Sequence, residues 1–487
     1  MSRFKPTIGI EIHVQLATKS KMFCACDNNS IGAAPNTHIC PVCLAYPGTL
    51  PLPNQRAVEL AIRLGFGLNA ELEPGKKTKF DRKNYFYPDS PKGYQITQFD
   101  QPIVGEGGVE ILVDGEFKTI GIERAHLEED AGKLTHPVGT DYSLVDLNRA
   151  GTPLLEIVSH PDIHSPAEAR RYLQEIYAIA TTLGVTHGDM QHGNMKFDLN
   201  VSLSETDELG TRTELKNLNS FRNAERALTY EIDRQAKLLE VGEKIPQETR
   251  GWDDVKSITF SQRSKEEAND YRYFPEPDIP PLVITAEMIE AQRQTLPTLP
   301  VVLRKELVSL GLSVDEQDVL LTQPQTSALF DAARPGLKAD AKSLRKLVNL
   351  LVGDYQAWLK SHSGPEVDLT QIKPPFSAEQ LTDLIKREQA GELSSKMSKQ
   401  VFGLMCQSGD SPGVIVEREG LVQVSDTSEI KSLVEKLVTG NPQAVADYKS
   451  GNAKALGFFV GQIMKQTQGQ ANPQTVNEIL KATLESA

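Results

Sequence analysis

The stretch Gly9-Ile10-Glu11-Ile12-His13-Val14-Gln15-Leu16 carries two signals at once. Ile10, Ile12, Val14 and Leu16 alternate with Glu11, His13 and Gln15, the period of two expected of a strand with one buried face. The opposite face then presents a carboxylate and an imidazole side by side. Such a pair binds a metal or moves protons, or it is simply the solvated side of a surface strand. The rest of the chain has to decide between the two.

A chain of 487 residues is too long for one core and suggests about two to four domains. Its hydrophobic content of 39% and charged content of 24% describe an ordinary globular protein. No apolar run approaches the roughly 20 residues of a membrane helix. The opening Met1-Ser-Arg-Phe-Lys-Pro6 has no signal-peptide core. The cytoplasm is therefore the expected location, with no membrane partner. A net charge of −13 argues against a protein that simply coats nucleic acid, while leaving room for an enzyme that touches RNA through a local patch.

Four of the five cysteines cluster as Cys24-x-Cys26 and Cys40-x-x-Cys43. Close pairs joined by a short loop have the spacing of a tetrahedral Zn²⁺ site, and four sulfurs leave no open position for chemistry. The expected role is structural, pinning a loop over residues 20–50. His38 is a substitute ligand, and free thiols or a redox pair are the alternative. Cys406 stands alone in apolar surroundings, as a core residue does.

Downstream, Pro51 to Ala70 reads as a helix. Gly65-Phe-Gly67-Leu-Asn-Ala70 formally matches a dinucleotide fingerprint, but these glycines close a helix instead of joining a strand to one. No P-loop occurs. From Lys79 to Ile96 basic and aromatic residues interleave in a Pro- and Gly-rich irregular stretch. Its Lys79, Arg82, Lys83 and Lys92 either hold phosphate oxygens or are solvated charges of a packed loop.

Val109 to Glu123 reads as a hairpin turning at Asp114-Gly115. It leads into Glu128-Glu129-Asp130, three acids that must be solvated or neutralised by a cation. Glu156 sits in an apolar strand, where a carboxylate is costly unless paired or metal-bound. Ser165-Pro166-Ala-Glu168 opens a helix to about Leu183 with a cap and a capping-box acid. Lys196, Asp198, Asn200 and Ser202 form the polar row of another alternating strand, and a helix follows from about Phe221 to Leu239. Prolines rule out a helix over Asp270–Pro281.

Beyond about Met288 strand signals nearly vanish. Helices are expected near 295–310, 314–321, 326–333, 341–359, 377–390 and 395–406, and short ones thereafter. The expected fold class is α+β with three domains: 1–293 with a mainly antiparallel sheet, an all-α domain over 294–410, and a small helical tail over 411–487. Strands that each carry Glu, His, Asp or Asn on one face suit a divalent ion bridging nucleotide phosphates, balanced by the basic stretch. Phosphoryl transfer without a P-loop is the chemistry this points to.

Six motifs extend the reading. Gly9 to Leu16, Phe80-Asp-Arg-Lys-Asn-Tyr-Phe-Tyr-Pro-Asp89 with Pro91-Lys-Gly-Tyr-Gln-Ile96, and His126-Leu-Glu-Glu-Asp-Ala-Gly-Lys133 are three. Leu144-Val-Asp-Leu-Asn-Arg149 through Gly151-Thr-Pro-Leu-Leu-Glu-Ile-Val158, Glu214-Leu-Lys-Asn-Leu-Asn-Ser220, and Asp270-Tyr-Arg-Tyr-Phe-Pro-Glu-Pro-Asp278 are the others. In this order, and over essentially the whole chain, they closely resemble the B subunit of tRNA-dependent amidotransferases, the GatB/GatE family.

The resemblance implies a cradle domain related to glutamine synthetase, a helical domain and a tail that meets tRNA. It implies a heterotrimer with an amidase A subunit, which releases ammonia, and a small C subunit. The implied reaction uses ATP and Mg²⁺ to phosphorylate the side-chain carboxylate of misacylated Asp-tRNA(Asn) or Glu-tRNA(Gln), and ammonia then gives the amide. Carried onto this chain, Glu11, His13, Glu128 and Glu156 match positions around the Mg²⁺. Lys79, Arg82 and Lys83 would contact ATP phosphates, with Lys79 also counted among the catalytic residues. Asp198 and Glu214 would be secondary metal or ammonia-handling groups, and Cys24, Cys26, Cys40 and Cys43 match the zinc cluster some members keep. One segment departs: Met190-Gln-His192-Gly-Asn194-Met-Lys196 lacks the acid, Ser and Arg usual in the family. The competing readings are a glutamine-synthetase-type ligase acting on a free amino acid, and a non-catalytic RNA-binding or assembly protein.

Overall fold

Strand β1, Lys5–Gln15, buries Ile8, Ile10, Ile12 and Val14 and leaves Glu11, His13 and Gln15 partly open, as its alternation requires. The computed structural model describes every residue except 1–2, 191, 265–269, 338–339, 363–371, 422–426, 451–452, 468–470, 472 and 487. Chain contacts divide it into two units, Met1–Glu306 and Leu307–Ala487.

The first unit continues with β2 Lys77–Thr78, β3 Asp81–Asn84, β4 Tyr94–Thr97, β5 Gly107–Val113, β6 Glu116–Glu129, β7 Lys133–Thr135 and β8 Leu144–Asp146. Then come β9 Pro153–Ser159, β10 Met195–Ser204, β11 Thr213–Lys216, β12 Glu248–Asp253, β13 Ile258–Ser264, β14 Phe274–Pro275 and β15 Leu282–Val283. Eleven strands form one sheet in the order β13-β12-β11-β10-β1-β9-β6-β4-β3-β14, with β5 beside β6. Its pairings are antiparallel except β11 with β12.

Cα partners in an antiparallel pair point to the same face. Ile12 therefore shares a face with Phe197 and Ile157, and Ile157 with Ala125. Helices α1 (Gln55–Gly67), α2 (Pro166–Thr182) and α3 (Phe221–Glu240) share one apolar core with that face. On the reverse, His13 lies between Lys196 and Glu156, Glu156 lies opposite His126, and Glu11 lies opposite Asp198. One face holds the core and the other gathers the ionisable groups.

Several local expectations are met for the stated reasons. Asp114 and Gly115 both have positive φ, as the two-residue turn between β5 and β6 requires. Gly67 ends α1 inside a helix–helix contact: a Cβ there would lie 2.3 Å from Ile179 Cγ2. Ser165 caps α2, but Glu168 accepts from the His164 amide and Lys118 rather than closing a capping box on Ser165.

Others are corrected. The Lys79–Ile96 stretch is not wholly irregular, because β3 and β4 pair across it and Pro88 and Pro91 fall in the connection between them. The helix expected from Thr295 starts at Pro300, since Pro297 and Pro300 exclude an earlier start, and runs as α5 to Ser309. Helix α4, Ala286–Arg293, capped by Thr285, was not anticipated.

The second unit is helical: α6 Val314–Thr322, α7 Pro324–Ala333, α8 Ala341–Asn349, α9 Gln356–His362, α10 Ala378–Gln389, α11 Ser395–Ser408 and α12 Pro412–Glu419. The single helix expected over 341–359 is broken by a π-helical turn, Leu350–Tyr355. Helices α13 Thr427–Gly440, α14 Pro442–Lys449, α15 Ala453–Gln466 and α16 Pro473–Ser486 end the chain. Ile430, Val434, Phe459, Ile463, Val476 and Leu480 belong to a separate small core there. Among the described residues no helix is long and apolar enough to cross a membrane.

Within the first unit, Arg304 of α5 is clamped to Glu175 of α2 at 2.7 Å, with both side chains 2% exposed. Removing the arginine takes away the cation that clamps the buried Glu175 carboxylate, so Arg304→Ala should cost about 3–5 kcal/mol in urea unfolding. Its neighbour Lys305 pairs with Glu110 in the open, and Lys305→Ala should cost no more than about 1 kcal/mol. Equal losses would contradict this account of the clamp.

Candidate functional site

The polar face converges on three side chains from three adjacent strands. His13 Nε2 of β1 lies 3.2 Å from Glu156 Oε2 of β9 and 3.4 Å from Glu128 Oε1 of β6. One ligand atom from each falls within 4.8 Å of the others. Thr97 of β4 donates to Glu128 at 3.4 Å. Two carboxylates and an imidazole suit a divalent ion.

Of the three consecutive acids, Glu128 is the one in contact with His13 and His126. Glu129 points to the other side, where it accepts from Lys92 at 2.8 Å and from the Ile96 amide at 3.0 Å. Asp130 is matched by Arg149 at 3.3 Å and Lys196 at 3.2 Å. Glu128, 2% exposed, meets two histidines instead.

Glu11 lies beside this cluster and accepts from Asn200 at 3.1 Å. Asp198 accepts from Lys216 at 2.5 Å, and Lys216 also reaches Glu214 at 3.4 Å. Glu11, Asp198 and Glu214 thus form a neighbouring acidic row that one lysine partly neutralises. Of the departing segment, Gln191 lies outside the described residues. Lys196 reaches Asp130, and Asn194 donates to Gln15 at 2.9 Å.

The three basic residues read as phosphate contacts separate. Lys83 and Asp81 share the face of Thr97 and Gln95 through the β3–β4 register, and Lys83 lies over the Tyr271 ring at 4.9 Å. Arg82 points the other way, forking onto Glu276 at 2.7 and 2.9 Å and stacking on Tyr94. Lys79 is held by Asp81 at 3.0 Å and Asp100 at 2.8 Å. Among the three, Lys83 is the one placed beside the acid cluster. Tyr271, Tyr273 and Phe99 form an aromatic wall next to it, with Phe99 and Tyr273 stacked at 4.2 Å.

Burial and mutual charge shift the protonation of the whole cluster. Burial opposes the His13 imidazolium, but its hydrogen bond to Glu156 and the charges of Glu128, Glu156 and Asp198 prevail and raise its pKa to about 9. Glu128 is pushed up to about 7, first by burial and then by repulsion from Glu156. Glu156 is lowered: burial opposes its charge, and the hydrogen bond from His13 with the charges of His126, His13 and Lys83 outweighs it. Burial also raises Glu11, helped by Glu156 and Asp198.

His126 and Lys216 were not singled out from sequence. His126 is 5% exposed, its Nε2 lies 3.7 Å from Glu156 and 3.9 Å from Glu128, and burial first of all pushes its pKa down to about 4. The signal was present, since His126 and Glu128 are two apart in one strand and share a face.

The second cluster is Cys24, Cys26, Cys40 and Cys43, whose sulfurs all lie within 4.8 Å of one another. Four converging sulfurs could hold a metal ion with no open position left. A hydrogen bond from Cys24 pulls the Cys43 thiol down to about 4, while Cys24 rises through that same bond and Cys26 is pushed up to about 11 by burial. His38 offers its carbonyl to Lys21 and lies outside this group.

The family of the GatB/GatE catalytic domain matches residues 6–290, and that of the GatB domain matches residues 336–484. The chain is similar to the B subunit of the aspartyl/glutamyl-tRNA(Asn/Gln) amidotransferase of Brevibacillus brevis, 47% identical over 489 residues and covering 100% of both chains. It is 46% identical to the corresponding protein from Carboxydothermus hydrogenoformans, covering 99% of each.

With His13 raised to about 9 and Glu128 to about 7, protons compete with a divalent ion at neutral pH. Raising the pH removes that competitor, so Mn²⁺ affinity should climb with pH, by about tenfold per unit between the Glu128 and His13 pKa values and more steeply below both. Titration calorimetry in buffers of different ionisation enthalpy should also show proton release. An affinity flat from about pH 6 to about pH 8 would contradict the assignment.

Proposed function

The chain belongs to the GatB/GatE family, and from that premise we propose that it is the B subunit of a tRNA-dependent amidotransferase, a ligase forming a carbon–nitrogen bond with glutamine as nitrogen donor. Its acceptor is the side-chain carboxylate of Asp-tRNA(Asn) or Glu-tRNA(Gln). Its partners are an amidase A subunit and a small C subunit, and its setting is the cytoplasm. Residues 1–293 act as the glutamine-synthetase-like cradle, 294–410 as the helical domain and 411–487 as the tail that meets tRNA.

The observation that carries the chemistry is the His13–Glu128–Glu156 triad beside Lys83. A carboxylate resists attack by ammonia until one oxygen becomes a leaving group. When bound, ATP with Mg²⁺ supplies the phosphoryl group for that activation. His13, Glu128 and Glu156 would hold the ion, with Glu11 next to them. Lys83 would offset phosphate charge, while Arg82 and Lys79 act more remotely, through Glu276 and through Asp81 and Asp100.

The aromatic wall of Phe99, Tyr271 and Tyr273 would exclude water from the activated carboxyl carbon, where hydrolysis competes with amidation. Asp198 and Glu214, tied to Lys216, would orient a second ion or the incoming ammonia. The cysteine cluster would hold Zn²⁺ in a structural role.

In the complex assembled with its amidase partner, misacylated tRNA should stimulate ATP cleavage, whereas free Glu or Asp should not. Stimulation by the free amino acid would favour a glutamine-synthetase-type ligase instead. His13→Ala should lower carboxylate phosphorylation by at least about 100-fold while leaving glutaminase activity of the partner partly intact. Equal loss of both would point to a folding defect and against the assigned role.

A further inference from the structure

Lys21 is fully buried, at 0% exposure, at the root of the cysteine loop. Its ammonium donates to the carbonyls of His38 at 2.8 Å and Leu147 at 3.3 Å and lies 3.8 Å from Cys43 Sγ. Among the described residues no carboxylate lies within ion-pair distance of it. A buried ammonium without a counter-charge is costly, and two carbonyl dipoles offset only part of that cost. The Glu129 carboxylate also lies near Gly151 but is already matched by Lys92 at 2.8 Å, so the nearest group able to carry an unmatched negative charge is the sulfur of Cys43.

We propose that Lys21 is the built-in counter-cation of a tetrathiolate metal centre at Cys24, Cys26, Cys40 and Cys43, and that it fastens this centre to the segment leading into the Glu156 strand. Four thiolates around a divalent ion leave a net charge of about −2, so the loaded centre and the lysine stabilise one another. Cys43, 5% exposed, is the sulfur beside Lys21, and it also accepts from the Cys40 amide at 3.2 Å. Leu147 lies between β8 and β9, and the Met22 amide donates to Gly151 of the same segment at 2.7 Å. Lys21 Cδ lies 3.5 Å from where a Cβ on Gly151 would sit, so the stem passes beside this segment at van der Waals distance. Lys21 is a positioning residue, acting on the metal through Cys43.

This rests on the metal-binding reading of the cluster, and the two fail separately. In the full chain, metal analysis of the wild type should find about one zinc. Lys21→Met should give up that zinc to a chromogenic chelator at least about tenfold more readily, as removal of outer-shell partners does. Wild-type protein that is metal-free and takes up no zinc would overturn the cluster reading and this inference with it. A zinc-loaded wild type whose Lys21→Met variant holds zinc equally well would overturn the role of Lys21 alone. Should that variant not fold, amine labelling of the wild type decides. Lys21 should resist acylation with zinc bound and become reactive when the metal is stripped; equal protection in both states would refute the pairing.

Discussion

Two carboxylates that share a sheet face a few ångströms apart repel, and the architecture of the first unit follows from how Glu128 and Glu156 are kept together. They sit on neighbouring strands, with His13 on a third strand touching both. The apolar reverse of those strands, filled by Ile12, Ile157 and Leu127, carries the core that holds the strands in register. The packing energy of one face thus maintains an electrostatically unfavourable arrangement on the other. A cation relieves that arrangement, whether it is the proton that His13 retains because the hydrogen bond to Glu156 and the neighbouring carboxylates raise its pKa to about 9, or a divalent ion.

Much of this was legible in the amino-acid sequence. The alternation in Gly9–Leu16 and again in Lys196–Leu203 named which residues turn inward, and the structure buries them. What alternation cannot tell is which strands become neighbours. Glu156 and His13 are far apart in the chain, and their meeting depends on a register set by the whole sheet. The fate of the lysines and arginines was hidden for a related reason. Arg82 and Lys83 are adjacent in sequence, yet pleating sends Arg82 to Glu276 and Lys83 towards Glu128. Residue type suggested phosphate contact for both, and only the strand pairing separates them.

The same lesson holds for the termini of elements. Thr295 to Leu310 has helical periodicity, but Pro297 and Pro300 overrule it, and a proline at the first helical position moves the start to residue 300. The cysteine loop was visible from spacing alone, whereas Lys21 was not, because a lysine preceding two cysteines looks like any surface residue. Burial gives it meaning, and burial arises from the distant segment Leu147–Gly151 folding over it.

His13, Glu128 and Glu156 come from three adjacent strands, and the proposed function needs them to act as one cation site. Crystals equilibrated with Mn²⁺ and measured at a wavelength where manganese scatters anomalously test it most directly. The account predicts a strong anomalous peak bonded to His13 Nε2, Glu128 and Glu156, and its disappearance in Glu128→Gln. Manganese bound elsewhere, or bound unchanged in that variant, would contradict it.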